Sequence, residues 1–108
     1  MTFTSELTVA HLCDTRRSVV AARGEVDISS CERLDAAVQS TLEAGTEELV
    51  LNLAGVTFID STGLACILAA LDRCRQNGTQ LRLRPSRQVR RALDLTMPPS
   101  DVGFVIDD

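Results

Sequence analysis

The sequence predicts a single α/β domain with a mixed, mostly parallel β-sheet of about four to five strands and three or four helices packed mainly on one face. The length of 108 residues fits one domain, with a core over about residues 5–106 and a frayed end at Asp107-Asp108. The hydrophobic pattern follows the order β-β-α-β-α-β-α-β. Because strands separated by helices become parallel neighbours, only the opening pair is expected to be antiparallel.

The two opening strands are predicted from apolar residues that alternate with polar ones. Residues 3–12 alternate loosely and predict the first strand. The second covers residues 18–22 and ends at Gly24-Glu25-Val26-Asp27, with a turn near Thr15 between the strands.

The first helix is predicted to open at Ser29. Ser29 and Glu32 have the spacing of a capping box, in which each side chain bonds an amide of the other residue. Gly45 is placed to end the helix in a left-handed conformation. The next strand, residues 48–53, is mostly apolar and typical of a strand buried on both faces, and a loop is expected from Gly55 to Asp60.

The second half of the chain continues the alternation of helices and strands. A second amphipathic helix begins near Leu64 and stops near Asn77-Gly78. Residues 81–84 alternate and predict a strand, and Pro85-Ser86 opens a third helix that Met97-Pro98-Pro99 breaks. A last short strand is expected over residues 102–106.

The composition argues against several classes of function. The chain has 15 acidic and 11 basic residues, a formal net charge of −4, and only 3% aromatic residues, so no direct nucleic-acid binding is expected. The longest apolar run, residues 64–71, is far shorter than the roughly 20 residues of a spanning helix, and no signal peptide is visible. We therefore expect a cytoplasmic protein that does not insert into membranes.

The cysteines and the histidine do not form a metal-binding pattern. The only histidine, His11, has no cysteine pair near it in the sequence, and no C-x-x-C spacing occurs. We expect no metal and no cofactor. The four cysteines are expected to be buried or half-buried thiols in a reducing compartment: Cys13, Cys31, Cys66 and Cys74.

The junction over residues 58–64 is the most informative segment for function. It follows a buried strand and precedes a helix, where sites gather in open α/β sheets. Asp60, Ser61 or Thr62 can each cap the helix that follows, and capping alone is one interpretation of these residues. The other is an anion site, since a helix N-terminus favours a negative charge such as a phosphate carried on Ser61.

Several segments together resemble the STAS domain of bacterial anti-sigma factor antagonists. They are Gly24-Glu25-Val26-Asp27, Leu51-Asn52-Leu53, Phe58-Ile59-Asp60-Ser61-Thr62-Gly63-Leu64, and the strand–helix segment from Arg82 to Leu95. The resemblance covers roughly residues 5–106. The chain departs from the family pattern where Met97-Pro98-Pro99 follows Leu95-Thr96, in place of the usual glycine.

The resemblance implies a function controlled by phosphorylation. Ser61 matches the phosphorylated serine, and Thr62 is the less favoured neighbouring hydroxyl. The implied partner is an anti-sigma factor that is itself a serine kinase of the histidine-kinase-like ATPase class; the unphosphorylated chain binds it and releases a sigma factor. Phosphorylation ends the binding and a serine phosphatase restores it. The residues implied to contact the partner are Glu25, Asp27, Asp60, Thr62, Gly63 and Leu64.

Three other functions are alternatives to this phosphorylation switch. The main alternative is a structural or regulatory STAS subunit of an ABC lipid-transport complex or a stress-signalling scaffold. A second is a nucleotide sensor that uses a stripe of arginines, which is otherwise a solvated face: Arg82, Arg84, Arg87, Arg90 and Arg91. An enzyme is not expected, because Ile59 stands where a G-x-S-x-G motif around Ser61 needs its first glycine.

Overall fold

The computed structural model describes residues 7–12, 16–96 and 105–106. Their strands form one sheet in the order β1-β2-β3-β4-β5, in which β1 pairs antiparallel with β2 and all other pairs are parallel. The predicted α/β class is confirmed. The strands are β1 (Leu7–Leu12), β2 (Arg17–Val26), β3 (Glu48–Ile59), β4 (Gln80–Pro85) and β5 (Val105–Ile106), and the helices are α1 (Cys31–Glu43), α2 (Ser61–Gln76) and α3 (Arg87–Thr96).

One hydrophobic core lies between the sheet and all three helices. Val20, Leu51 and Leu83 are register partners on adjacent strands, so they share one face of the sheet, and all three are fully buried. Burying a side chain of this size contributes roughly 1.5–3 kcal/mol to folding. Each helix covers the same face with residues of the same cluster: Leu34 and Val38 of α1, Ile67 and Leu71 of α2, and Val89 and Leu93 of α3.

Strand β3 is twice as long as the sequence predicts. The expected loop from Gly55 to Asp60 is wrong, because the strand continues to Ile59 alongside β2. Its pairing with β2 shifts register between Ala21 and Arg23 and again between Gly24 and Glu25. Each shift inserts an extra β3 residue, which breaks the alternation of apolar and polar residues that marks a strand.

The helix ends follow the glycine signals in the sequence. Gly45 has a φ of +81° and its amide donates to the carbonyl of Leu42, which confirms the predicted left-handed end of α1. Gly78 has a φ of +72° just after Asn77 caps α2. Two leucines of these elements are exposed, Leu12 of β1 at 75% and Leu95 of α3 at 81%.

Only part of each predicted end strand lies within the described residues. The predicted strand over 3–12 is seen from Leu7 onward and the one over 102–106 at Val105–Ile106; their remaining residues lie outside the described part, as do Asp107-Asp108 and Met97-Pro98-Pro99. None of the described helices is both long enough and apolar enough to cross a membrane.

Candidate functional site

The carboxyl ends of β2 and β3 lie side by side at one edge of the sheet. Val26 and Ile59, the last residues of the two strands, pair in parallel register. The amide of Asp60 donates to the carbonyl oxygen of Val26 at 3.4 Å. The two segments that follow the strands, beginning at Asp27 and Asp60, therefore start at the same edge, where sites of open α/β sheets gather.

Asp60 caps helix α2, and the two residues that follow it are exposed. Its backbone is extended, and its Oδ1 accepts a hydrogen bond of 2.8 Å from the amide of Gly63. Of the three caps that the sequence allowed, the structure uses this one. Ser61 and Thr62 are the first two residues of the helix and are both exposed. Neither hydroxyl is bonded to another residue in the described part of the chain.

Gly63 and Leu64 face inward at the same turn. Leu64 is 9% exposed and belongs to the core. A Cβ atom at Gly63 would stand 2.3 Å from the carbonyl oxygen of Val26, so only glycine allows β2 to approach the helix this closely. The structure gives both residues packing roles, and their contact with a partner stays a prediction.

The segment after β2 is held by the carboxylate of Asp27. Its Oδ1 accepts hydrogen bonds from the amide of Ser29 at 3.0 Å, the hydroxyl of Ser29 at 2.7 Å and the amide of Ser30 at 3.2 Å. The buried hydroxyl of Ser30 accepts from the amide of Asp27 at 3.0 Å and donates to the carbonyl of Glu25 at 2.8 Å. We call residues 25–30 the acidic turn because they include Glu25 and Asp27. Both of these side chains are half-buried.

The capping box predicted for Ser29 and Glu32 is therefore wrong. Helix α1 begins at Cys31, and Ser30 occupies the N-cap position. The side chain of Ser30 makes no capping hydrogen bond to the helix. The main-chain carbonyl of Asp27 instead accepts from the amides of Ser30 and Cys31. An aspartate bonding the backbone two residues ahead competes with a serine cap, and here it takes both amides that precede the helix.

Two apolar side chains beside the site are exposed, and neither is among the residues predicted to contact a partner. Ile28 lies at the tip of the acidic turn and is 76% exposed. Phe58, near the end of β3, is 47% exposed. The signal that could have identified Ile28 is its place between Asp27 and Ser29 after a strand end, where it belongs to no apolar period that would assign it to the core.

A groove of about 320 Å³ separates the end of β3 from α3. Its walls combine exposed apolar surface with two exposed arginines: Phe58, Ile59 and Leu95 with Arg87 and Arg91. Two members of the predicted arginine stripe thus line a concave surface. Arg82, by contrast, is half-buried on β4 and its Nη2 lies 3.9 Å from Glu48 Oε2.

A disulfide bond joins the two elements beside the site. Cys31, the first residue of α1, is bonded to Cys66 of α2, with 6.1 Å between their Cα atoms. The prediction of four thiols is wrong for this pair. Cys74 is a buried thiol, and burial raises its pKa to about 11. Cys13 lies outside the described residues.

The arrangement suits recognition of another molecule. Both segments that follow the paired strand ends carry acidic side chains, one segment also carries an exposed hydroxyl at a helix N-terminus, and the other carries an exposed isoleucine. Among residues 7–12, 16–96 and 105–106, no group of three or more His, Cys, Asp or Glu side chains is close enough to hold a metal ion.

The chain is similar to proteins of a known family. A family model described as "Mlab, STAS domain" matches residues 13–96. An anti-sigma-B factor antagonist of Staphylococcus epidermidis is 32% identical over 78 residues, which cover 71% of this chain and 72% of the relative.

Two solved structures have the same fold. The crystal structure of an anti-sigma factor antagonist from Mycobacterium paratuberculosis matches with a TM-score of 0.76 at 24% identity, covering 98% of this chain and 89% of the other. The phosphorylated form of SpoIIAA, a cell fate determinant of Bacillus, matches with a TM-score of 0.69 at 15% identity, covering 95% and 92%.

Proposed function

The chain belongs to the STAS domain family, and we propose that it is an anti-sigma factor antagonist switched by phosphorylation of Ser61. The observation that carries this proposal is the exposed hydroxyl of Ser61 at the first position of α2, beside the cap Asp60 and the acidic turn. The curated relative is named as an antagonist, which is a regulator and not an enzyme. The proposal accordingly assigns no catalytic residue and no cofactor.

The site can carry a phosphate without refolding. The first amides of a helix have no partner inside it, and Asp60 takes the amide of Gly63, which leaves those of Ser61 and Thr62 facing the site. Amides and the helix dipole at this end favour an added anion. The fold is therefore expected to survive the modification, and the effect falls on binding.

The phosphate acts on the partner through charge and bulk. It adds about −1.5 to −2 charges at neutral pH to a surface that already carries Asp60 and the acidic turn. A partner that accepts a neutral hydroxyl there meets repulsion and a desolvation cost. A loss of about 3 kcal/mol weakens binding more than a hundredfold.

The proposed docking surface combines the acidic turn with the first turn of α2. Glu25, Asp27, Asp60 and Thr62 supply the polar contacts, and Ile28 supplies apolar contact from the acidic turn. Gly63 and Leu64 act beneath the surface by fixing the distance between the two turns. Well-packed apolar residues surrounded by polar groups are the usual pattern of a binding hot spot.

The proposed partner is an anti-sigma factor that is a serine kinase of the histidine-kinase-like ATPase class, with a serine phosphatase that reverses its action. Both act in the cytoplasm, where we place this chain. The alternative, a STAS subunit of an ABC lipid-transport complex or a signalling scaffold, would use much the same surface without a phosphate cycle. The names of the curated relatives favour the antagonist.

The test is incubation of the full chain with ATP and the candidate kinase encoded nearest to it, followed by intact mass and site mapping. We expect one phosphate on Ser61, none in the Ser61→Ala variant, and one phosphate still on Ser61 in Thr62→Ala. Modification at another residue would overturn the assignment of Ser61. Stable binding to a transport ATPase that ATP and the kinase do not disturb would favour the alternative function.

A further inference from the structure

The disulfide bond ties together the two halves of the proposed docking surface. Cys31 directly follows the acidic turn, and Cys66 lies five residues after Ser61 on α2. The bond therefore restrains the position of one half of the surface relative to the other.

The core does not depend on this bond. Its buried apolar residues come from three strands and all three helices, which is an ordinary core for a domain of about 100 residues. Structural disulfides belong mainly to small secreted domains that lack such a core. In the cytoplasm, where the proposed function places the chain, disulfides are usually transient and redox-sensing.

We propose that Cys31 and Cys66 form a reversible redox site, and that its oxidised form holds the acidic turn and α2 in the arrangement that docks the partner. Both parts rest on the proposed function, reversibility through the cytoplasmic location and docking through the partner, but reversibility can be measured without the partner.

The oxidant is a hydroperoxide and the reductant is a dithiol. The Cys31 thiolate attacks a hydrogen peroxide oxygen, the O–O bond breaks, and one water leaves as a sulfenic acid forms. The Cys66 sulfur then attacks the Cys31 sulfur and the S–O bond breaks, releasing a second water. Two thiols and one peroxide thus give one disulfide and two waters, with two electrons passing to the peroxide. A dithiol returns two electrons and two protons by exchange and itself becomes a disulfide.

The order of the two cysteines follows from their exposure. Cys31 is half-buried at the first position of α1, whereas Cys66 is only 6% exposed. The helix N-terminus also favours negative charge at Cys31. Cys74 is 1% exposed and stays a thiol at neutral pH, because burial raises its pKa to about 11. Cys74 therefore serves as a control cysteine for redox changes at the Cys31–Cys66 pair.

The first experiment measures the pair alone. The full chain carrying Cys13→Ser is equilibrated in glutathione buffers that span the cytoplasmic range, alkylated, and analysed by intact mass and peptide mapping. We expect Cys31 and Cys66 to become alkylated together within that range, while the disulfide disappears. A pair that stays bonded in the most reducing buffer, or stays reduced in the most oxidising one, would overturn the proposal.

The second experiment measures binding of the oxidised and reduced chain to the kinase of the proposed function. Holding the surface in place lowers the ordering cost of binding, so we expect reduction to weaken binding by about fivefold or more. Cys31→Ser/Cys66→Ser should match the reduced chain, and Cys74→Ala should respond to redox as the wild type does. The reduced wild type supplies the same state if the double variant misfolds.

The outcomes separate the two proposals. Equal binding by the two forms, or tighter binding by the reduced form, would overturn the docking part of this inference and leave the proposed function intact. If neither form binds the kinase, the proposed function fails, and with it the docking part, while the glutathione titration still decides whether the redox site exists.

Discussion

The carbonyl oxygen of Val26 lies 2.3 Å from the point that a Cβ atom would occupy at Gly63. The end of β2 and the first turn of α2 are therefore in direct backbone contact. This contact sets the distance between the acidic turn, which includes Val26, and the exposed Ser61, which precedes Gly63 by two residues.

Replacing Gly63 with alanine should destabilise the fold. The added methyl group meets a backbone oxygen that cannot move without shifting β2, so we expect a loss of about 2–3 kcal/mol in the free energy of unfolding. Urea denaturation measures it. Thr62→Ala, at the exposed neighbour, is the control and should change stability by less than about 0.5 kcal/mol. Equal stability of the two variants would show that β2 and α2 can move apart to make room for the methyl group without loss of stability.

Removal of the Asp60 carboxylate should weaken the cap of α2. Asp60→Ala leaves the amide of Gly63 without its acceptor and should cost about 1 kcal/mol of unfolding free energy. Asp60→Asn keeps an acceptor oxygen and should lose much less. Thermal and urea unfolding of the two variants provide the comparison; a loss of the same size in both would mean that the charge, and not the hydrogen bond, stabilises the turn.

A negative charge at Ser61 should weaken docking and leave the fold intact. Ser61→Asp places a carboxylate at an exposed helix N-terminus, where stability should change little. Its affinity for the kinase should fall by tenfold or more. The effect should be smaller than that of phosphorylation, because a carboxylate carries one negative charge and a phosphate carries roughly two. Calorimetry against wild type and Ser61→Ala measures the effect. Undiminished affinity of Ser61→Asp would contradict the switch.

Ile28 should contribute to docking more than to folding. At 76% exposure its replacement by serine should change stability by less than about 0.5 kcal/mol, while affinity for the kinase should fall about tenfold. Leu12→Ser is a matched control, because Leu12 is 75% exposed and pairs with Val19 near the opposite end of β2. Equal effects of the two substitutions on binding would remove Ile28 from the docking surface.

Cys74 should make the chain less stable in alkaline solution. Its thiol has a folded pKa of about 11 against 9.0 unperturbed, so its neutral form favours the folded state. The stabilisation is full below pH 9 and is lost between pH 9 and 11, at a cost of about 1.4 kcal/mol by pH 10. The sequence has no Tyr and no Lys to titrate there. Urea unfolding of Cys74→Ala should show less decline over this interval; an identical decline would contradict the assignment.

The order of elements could be predicted because most of the core follows regular periods. Leu34, Val38 and Leu42 recur at helical spacing, and Leu81 and Leu83 alternate on a strand, so each segment indicates its own structure. The second half of β3 could not be recognised, since two register shifts against β2 break the period of two. Bulges depend on the partner strand, which a local pattern does not reveal.

At the site, residue types were easier to predict than their bonding. Asp60 was one of three possible caps, and only the closeness of β2 to Gly63 explains the backbone geometry at that turn. Ser29 resembled a cap because its spacing to Glu32 fits, but Asp27 takes the amide of Ser29 that Glu32 would bond in a capping box. The pairing of Cys31 with Cys66 could not be inferred from a separation of 35 residues, since it depends on how α1 and α2 pack.

The extra residues of β3 also bear on how this chain tolerates insertions and deletions. Loss of one codon at either register shift would remove a bulge, and the residues that follow could keep their partners on β2. Loss of a codon in the regularly paired first half of β3 would instead move the following residues by one pairing position and turn their side chains to the opposite side of the pleat. Single-residue deletions should therefore be tolerated better at the register shifts than elsewhere in β3.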